Sequence, residues 1–175
     1  MFWGIQAQAS HPASFKLTEQ PLGPVDSSPA TLFHQHIPAI AEQFVGMPFK
    51  LGGNPKQTGT TDNSSLFYTI YAIAAQKAGL KYKAYLPMRY LLKRTQPVDI
   101  SSVQNGDLIV LDNNLAAMVY QVDPSGRLHF IYASEKRRQV IAFHSENLVY
   151  HAYWLEHLKG FFRLDHDMLL PAKLP

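Results

Sequence analysis

The sequence predicts an α+β domain, and three observations carry that expectation. A nearly all-round apolar segment running from Leu66 to about Ala78 reads as a buried helix. Between Leu108 and Phe143 the apolar residues fall instead into short runs of strand length, divided by turn signals. The helix-forming segments come first and the strand-forming ones afterwards, which favours a meander packed on helices over alternating βαβ units.

The elements follow in order. Residues 1–30 hold Pro12, Pro21, Pro24 and Pro29 with Gly23 and several serines, and read as an extended lead-in. Ala7-Gln8-Ala9 resembles the small-residue pattern before a secretory cleavage site, but neither a charged region nor a full apolar region precedes it. From His36 to Val45, residues Ile37, Ile40, Ala41, Phe44 and Val45 recur at helical spacing, with Pro38 placed in the first turn and Gly46 as the stop. A glycine-rich loop, Gly52-Gly53-Asn54-Pro55 through Gly59, leads to Asp62 or Asn63 as the cap of the apolar helix, and Gly79 ends it.

Strands are expected at Leu108–Leu111, Met118–Val122, Leu128–Ala133, Val140–Phe143 and Gly160–Leu164, about five in all. Asp123-Pro124-Ser125-Gly126 makes 118–133 an antiparallel hairpin. One domain over residues 31–168 and a tail at 169–175 complete the division.

Composition removes whole classes of function. With 46% hydrophobic and 12% aromatic residues the 175-residue chain can bury a sizeable core, and its 17% of charged residues argues against wholesale disorder. No apolar stretch approaches the roughly 18 residues of a membrane-spanning helix. The net charge of +3 is mild. Basic residues gather at Lys77, Lys81, Lys83, Arg89, Lys93 and Arg94 and again at Lys136, Arg137 and Arg138, yet no nucleic-acid motif accompanies them; they read as solvated faces, and nucleic acid is not an expected partner. Cysteine is absent, which excludes disulfides, thiolate metal sites and a cysteine nucleophile. The histidines are scattered, and no metal site or cofactor is expected.

Gly46-Met47-Pro48-Phe49-Lys50-Leu51-Gly52-Gly53, followed by Asp62-Asn63-Ser64-Ser65-Leu66, resembles the opening signature of the NlpC/P60 cell-wall peptidases. Members of that family usually read Gly-x-Pro-Tyr-x-Trp-Gly-Gly and then Asp-Cys-Ser-Gly-Leu at the start of a central helix. Leu86-Pro87 with Arg89, Gln104-Asn105-Gly106-Asp107-Leu108, Ile131-Tyr132-Ala133-Ser134, and Tyr153-Trp154 with Gly160 and Arg163 resemble later segments of the family in the same order. The resemblance spans roughly residues 36–164. It implies a papain-like fold, a central helix packed on an antiparallel sheet with the site between them, and a location in the cell envelope or periplasm.

What the resemblance implies chemically is missing. The family's thiolate attacks a peptide bond of the cell-wall stem peptide, a facing-strand histidine acts as base, and a polar residue orients that histidine. The matching positions here are Asn63, then Ala117 or Met118, and Tyr132. An amide is not a nucleophile under these conditions, and neither alanine nor methionine accepts a proton. Loss at both positions points to a degenerate, inactive homologue. Ser64 and Ser65 lie beside the vacant position without an evident base, because His129, three residues before Tyr132 on one strand, should face the opposite side.

A binding cleft is what the resemblance leaves, with Asp62, Asn63, Ser64, Phe49 and Tyr132 as its expected ligand-binding residues. Asp62 and Ser64 equally suit a plain capping role. Phe49 stands where the family has tyrosine and Leu51 where it has tryptophan, so polar contacts are lost while packing is kept. Three readings follow: a module binding a peptidoglycan stem peptide or other peptide; a protein-interaction domain whose cleft is filled by Met118, Tyr132 and Phe49; and a residual stem-peptide endopeptidase using Ser64.

Overall fold

The computed structural model describes residues 28–172, so most of the expected lead-in, with Ala7-Gln8-Ala9, and residues 173–175 of the expected tail lie outside the described residues. Helix α1 (Pro29–Ala41) begins earlier than its apolar periodicity suggests, because Ser28 caps it by accepting the Thr31 N–H and Pro29 fits the first turn. Pro38 therefore sits inside the helix rather than at its start. Its missing N–H would leave the His34 carbonyl, four residues back, without a partner, and the Asn105 side-chain amide donates to that carbonyl at 3.2 Å.

A short α2 (Pro55–Thr58) precedes α3 (Asn63–Lys77), which buries Leu66, Phe67, Ile70, Tyr71, Ala74 and Ala75. Strand β1 (Leu80–Tyr82), helix α4 (Met88–Leu91) and strands β2 (Thr95–Val98), β3 (Leu108–Leu111), β4 (Ala116–Val122), β5 (Leu128–Ser134), β6 (Gln139–His144), β7 (Leu158–Leu164) and β8 (Leu169–Pro171) follow. Six strands form one antiparallel sheet in the order β2-β7-β3-β4-β5-β6, and β1 pairs with β8 in a second, two-stranded sheet. The principal sheet thus has six strands rather than about five. Leu169–Pro171, assigned to a tail by the sequence reading, form β8.

Both faces of the large sheet are buried. Leu108, Val110, Ala116, Met118, Ile131 and Ala133 pack toward α1 and α3. Ile109, Leu111, Ala117, Val119, Phe130 and Phe161 pack on the other face against Tyr150 and Trp154. The last two lie on a π-helical turn (Tyr150–Trp154), so of the segment Tyr153-Trp154, Gly160 and Arg163 that resembles the family, only Gly160 and Arg163 lie on β7.

Asp107 and Arg163 fasten β3 to β7. Arg163 donates from Nε to Asp107 Oδ1 (3.0 Å) and from Nη2 to Oδ2 (2.8 Å), and Asp107, 1% exposed, also accepts the Gln104 N–H at 2.9 Å. Next to this pair His34 is held neutral. The Asn105 carbonyl can only accept, so Nδ1 carries the proton and donates at 2.7 Å, while Nε2 accepts from the Gln104 side-chain amide at 3.0 Å. Burial lowers the His34 pKa, outweighing the Asn105 carbonyl and the Asp107 carboxylate, which raise it.

An unfolded histidine takes a proton as pH falls through about 6.5, whereas folded His34 resists it, so its contribution to stability is full above that value and declines below it. The Tm is expected to fall between about pH 7.5 and 5.5, and to fall less in His34→Gln. Identical declines in the two proteins would reject this assignment.

Candidate binding cleft

The N-terminus of α3 is built from the loop before it. Gly52 adopts φ +70°, and a Cβ on Gly53 would lie 2.8 Å from the Thr60 carbonyl carbon and 2.9 Å from the Lys50 carbonyl oxygen, so only glycine fits there. This tight passage brings the Gly52 N–H to Asp62 Oδ2 at 2.8 Å, while Oδ1 caps the helix by accepting the Ser65 N–H at 2.8 Å. Of the two expected caps, Asp62 takes the role.

Asn63 joins two strands. Its Nδ2 donates to the Ala116 carbonyl on β4 (3.0 Å), and its Oδ1 accepts the Ala133 N–H on β5 (2.6 Å). The β4–β5 register runs from Val122↔Leu128 to Met118↔Ile131, so Asn63 bridges the strands just past the end of their mutual ladder. Ser64 Oγ accepts the Met88 N–H at 3.0 Å and so ties the start of α4 to α3. Asp62, Asn63 and Ser64 are thus all engaged in holding backbone.

These three residues border an open cavity of about 1080 Å³ that Phe49 and Tyr132 also line. All five expected cleft residues therefore meet at one place. Ala117 and Met118 do not line the cavity: Met118 is buried in the core toward α3, and Ala117 packs on the opposite face, the one to which Tyr132 belongs. Met118 consequently fills no cleft, and Phe49 and Tyr132 form its walls without closing it.

The sequence reading missed the far wall. It consists of Ile141, Ala142 and Phe143 on β6 and of Val149, Tyr153 and Trp154. Tyr132 meets Trp154 edge-on with ring centroids 5.4 Å apart, and Phe143 lies 5.1 Å from Trp154. Leu51, 83% exposed, stands at the rim. Lys136 and Arg137, read in the sequence as a solvated face, line the cavity together with Glu135. The aromatic wall had a signal in the density of aromatic residues between 143 and 154, but its joining to α3 is tertiary.

Among the described residues no histidine lines the cavity. His129 lies on the other face of β5 from Tyr132, edge-on to Tyr120 and 3.5 Å from Asp123. Also among the described residues, no group of three or more histidine, aspartate or glutamate side chains is placed to hold a metal ion, and no helix is long and apolar enough to cross a membrane.

No family model matches the chain, and no curated protein matches it either. Among solved structures, the crystal structure of a protein from Staphylococcus aureus described as similar to lipoprotein, of the NLP/P60 family, matches with a TM-score of 0.55 and 22% sequence identity. The match covers 77% of this chain and 42% of that one, so this chain spans less than half of that protein's length. At this identity the likeness concerns the fold: helices packed with antiparallel strands in an arrangement shared with an NlpC/P60 protein.

Proposed function

We propose that the chain is a non-catalytic peptide-binding module on a papain-like NlpC/P60 frame, taking a peptide such as the peptidoglycan stem peptide in the cleft at the start of α3. The observation that carries this reading is an open cavity of about 1080 Å³ beside a side chain, Asn63, that is a structural clamp where the family has its nucleophile. Nucleophilic catalysis needs a reactive lone pair and a base within hydrogen-bond reach. Both ends of the Asn63 amide are bonded to strand backbone, and the neighbouring hydroxyl, Ser64, receives the Met88 N–H. An envelope location accompanies this reading.

The cleft suits a peptide because it combines an aromatic wall with a charged rim, features that hold side chains and termini separately. Trp154 belongs to the wall and can report occupancy. In a Trp3→Phe background, titration with a purified muropeptide is expected to change Trp154 emission saturably, and Tyr132→Ala to weaken the response about tenfold, the loss of one aromatic contact. Overnight incubation with a cell-wall digest is expected to release no new amino groups. Cleavage would overturn the non-catalytic reading; the absence of a saturable change both with millimolar muropeptide and with a millimolar linear hexapeptide of alternating glutamate and leucine would overturn the binding one.

A further inference from the structure

β6 ends the six-stranded sheet, and the other described residues cover only part of its outer edge. Val140 donates its N–H to the Met47 carbonyl (2.8 Å), and its own carbonyl accepts the Gly46 N–H (2.9 Å). Val140 therefore turns both backbone groups away from β5. Hydrogen-bonding direction alternates along an antiparallel strand, so Ala142 turns its N–H and carbonyl outward as well, and His144 its N–H. The 46–48 strip stops short of them, with Pro48 bridged to Gln139. The His144 carbonyl is taken by the Asn147 N–H at 2.9 Å. Among the described residues, nothing pairs with a short stretch of edge centred on Ala142, which is exposed and lines the cavity.

An open edge is normally blunted by proline, by lysine, by a bulge or by a covering segment. Pro48 serves that purpose at Gln139, and at Ala142 a methyl group leaves the edge accessible. By strand alternation Ile141 and Phe143 share the sheet face of Tyr132, to which they are adjacent across the β5–β6 register. A strand laid beside Ala142 would thus send every second side chain toward Tyr132, Phe143 and Trp154. At the exposed rim Lys136 and Arg137 outnumber Glu135, while Asp62, 9% exposed at the same cavity, has each carboxylate oxygen taken by a backbone N–H, from Gly52 and Ser65; the rim therefore favours carboxylates among the incoming side chains.

We infer that the cleft takes its ligand by strand addition: an extended peptide segment of alternating acidic and apolar residues pairs with β6 at Ala142 and seats an apolar side chain on the aromatic wall. The inference rests on the peptide-binding reading of the same cleft. Backbone pairing over so short an edge supplies few hydrogen bonds, so the apolar anchor and the rim charges select the sequence.

The test uses a fluorescein-labelled hexapeptide of alternating glutamate and leucine, read by anisotropy. Two further versions carry N-methyl groups on the backbone nitrogens of the glutamates or of the leucines. Wild-type protein is expected to bind the unmodified peptide and one methylated version, and to bind the other at least tenfold more weakly, because alternate N–H groups of an added strand face β6 and solvent. Ala142→Pro removes an outward N–H that β5 does not use, and is expected to weaken the unmodified peptide at least tenfold. If that variant fails to fold, the methylated pair decides on wild-type protein.

Equal affinity for all three peptides would overturn strand addition and leave the cleft reading intact. Binding of a muropeptide without binding of the hexapeptide would do the same. Failure of both ligands would remove the cleft reading itself. A wild-type dimer that Ala142→Pro converts to monomer would show a second copy of the chain on this edge, and would also overturn the inference.

Discussion

Replacing Arg163 by methionine is expected to cost about 3–5 kcal/mol of folding stability, because it strands a buried carboxylate. Asp107 is 1% exposed, and two of its three close donors come from the Arg163 guanidinium. The fork also donates from Nη2 to the Ser102 carbonyl at 2.6 Å, so one side chain ties β7 to the turn that opens β3. Asp107 raises the Arg163 pKa, chiefly through the hydrogen bonds it accepts from the guanidinium. In a domain of this size such a loss lowers Tm by roughly 10 °C. Urea unfolding measures it directly, and a cost under about 1 kcal/mol would place the pair among ordinary surface contacts. Arg163→Lys should fall in between, since lysine keeps the charge but not the fork. Adding Asp107→Asn to Arg163→Met should recover part of the loss, because the uncompensated charge is then gone.

That pair also shows what the sequence could and could not disclose. Gly106-Asp107-Leu108 and Arg163 are legible only as separate fragments of a resemblance; their meeting across 56 residues is a fact of tertiary structure. Apolar patterning placed α3 and strands β3 to β7 to within about two residues at each end, because burial dictates those positions. Unbroken apolar runs such as Leu108–Leu111 also signal a sheet covered on both faces, because a strand buried on both sides keeps no polar face. β2 escaped notice because Pro97 interrupts its run, and it lies at the sheet edge, where proline is tolerated. The early start of α1 lay hidden in a proline-rich stretch, where Ser28-Pro29 is a capping signal rather than a linker. At the cleft, the near wall followed from motif positions, whereas the wall of β6 and the π-helical turn depends on where the sheet edge comes to rest against residues 147–154.

Asn63→Ala is expected to be the other severe substitution, at about 2–4 kcal/mol, since it leaves the Ala116 carbonyl and the Ala133 N–H without partners at a half-buried site. Asparagine is suited to this position because one end of its amide donates and the other accepts. The two bonds reach across 53 and 70 residues, so they fix α3 against both strands at once. Asn63→Asp keeps an acceptor for Ala133 but sets a carboxylate against the Ala116 carbonyl, and it should destabilise by a comparable amount. Asn63→Cys restores the residue that the family resemblance expects and removes the clamp, so it too should unfold more easily while releasing no products from a cell-wall digest. Thermal unfolding of the three variants, beside digestion assays of Asn63→Cys, separates structure from chemistry. Wild-type stability in Asn63→Cys, together with new hydrolysis, would mean that the amide merely occupies a competent active site. Destabilised, inactive variants would mean that the bond network at the start of α3 has been rebuilt around a structural residue, which leaves the cleft beside it to bind without cutting.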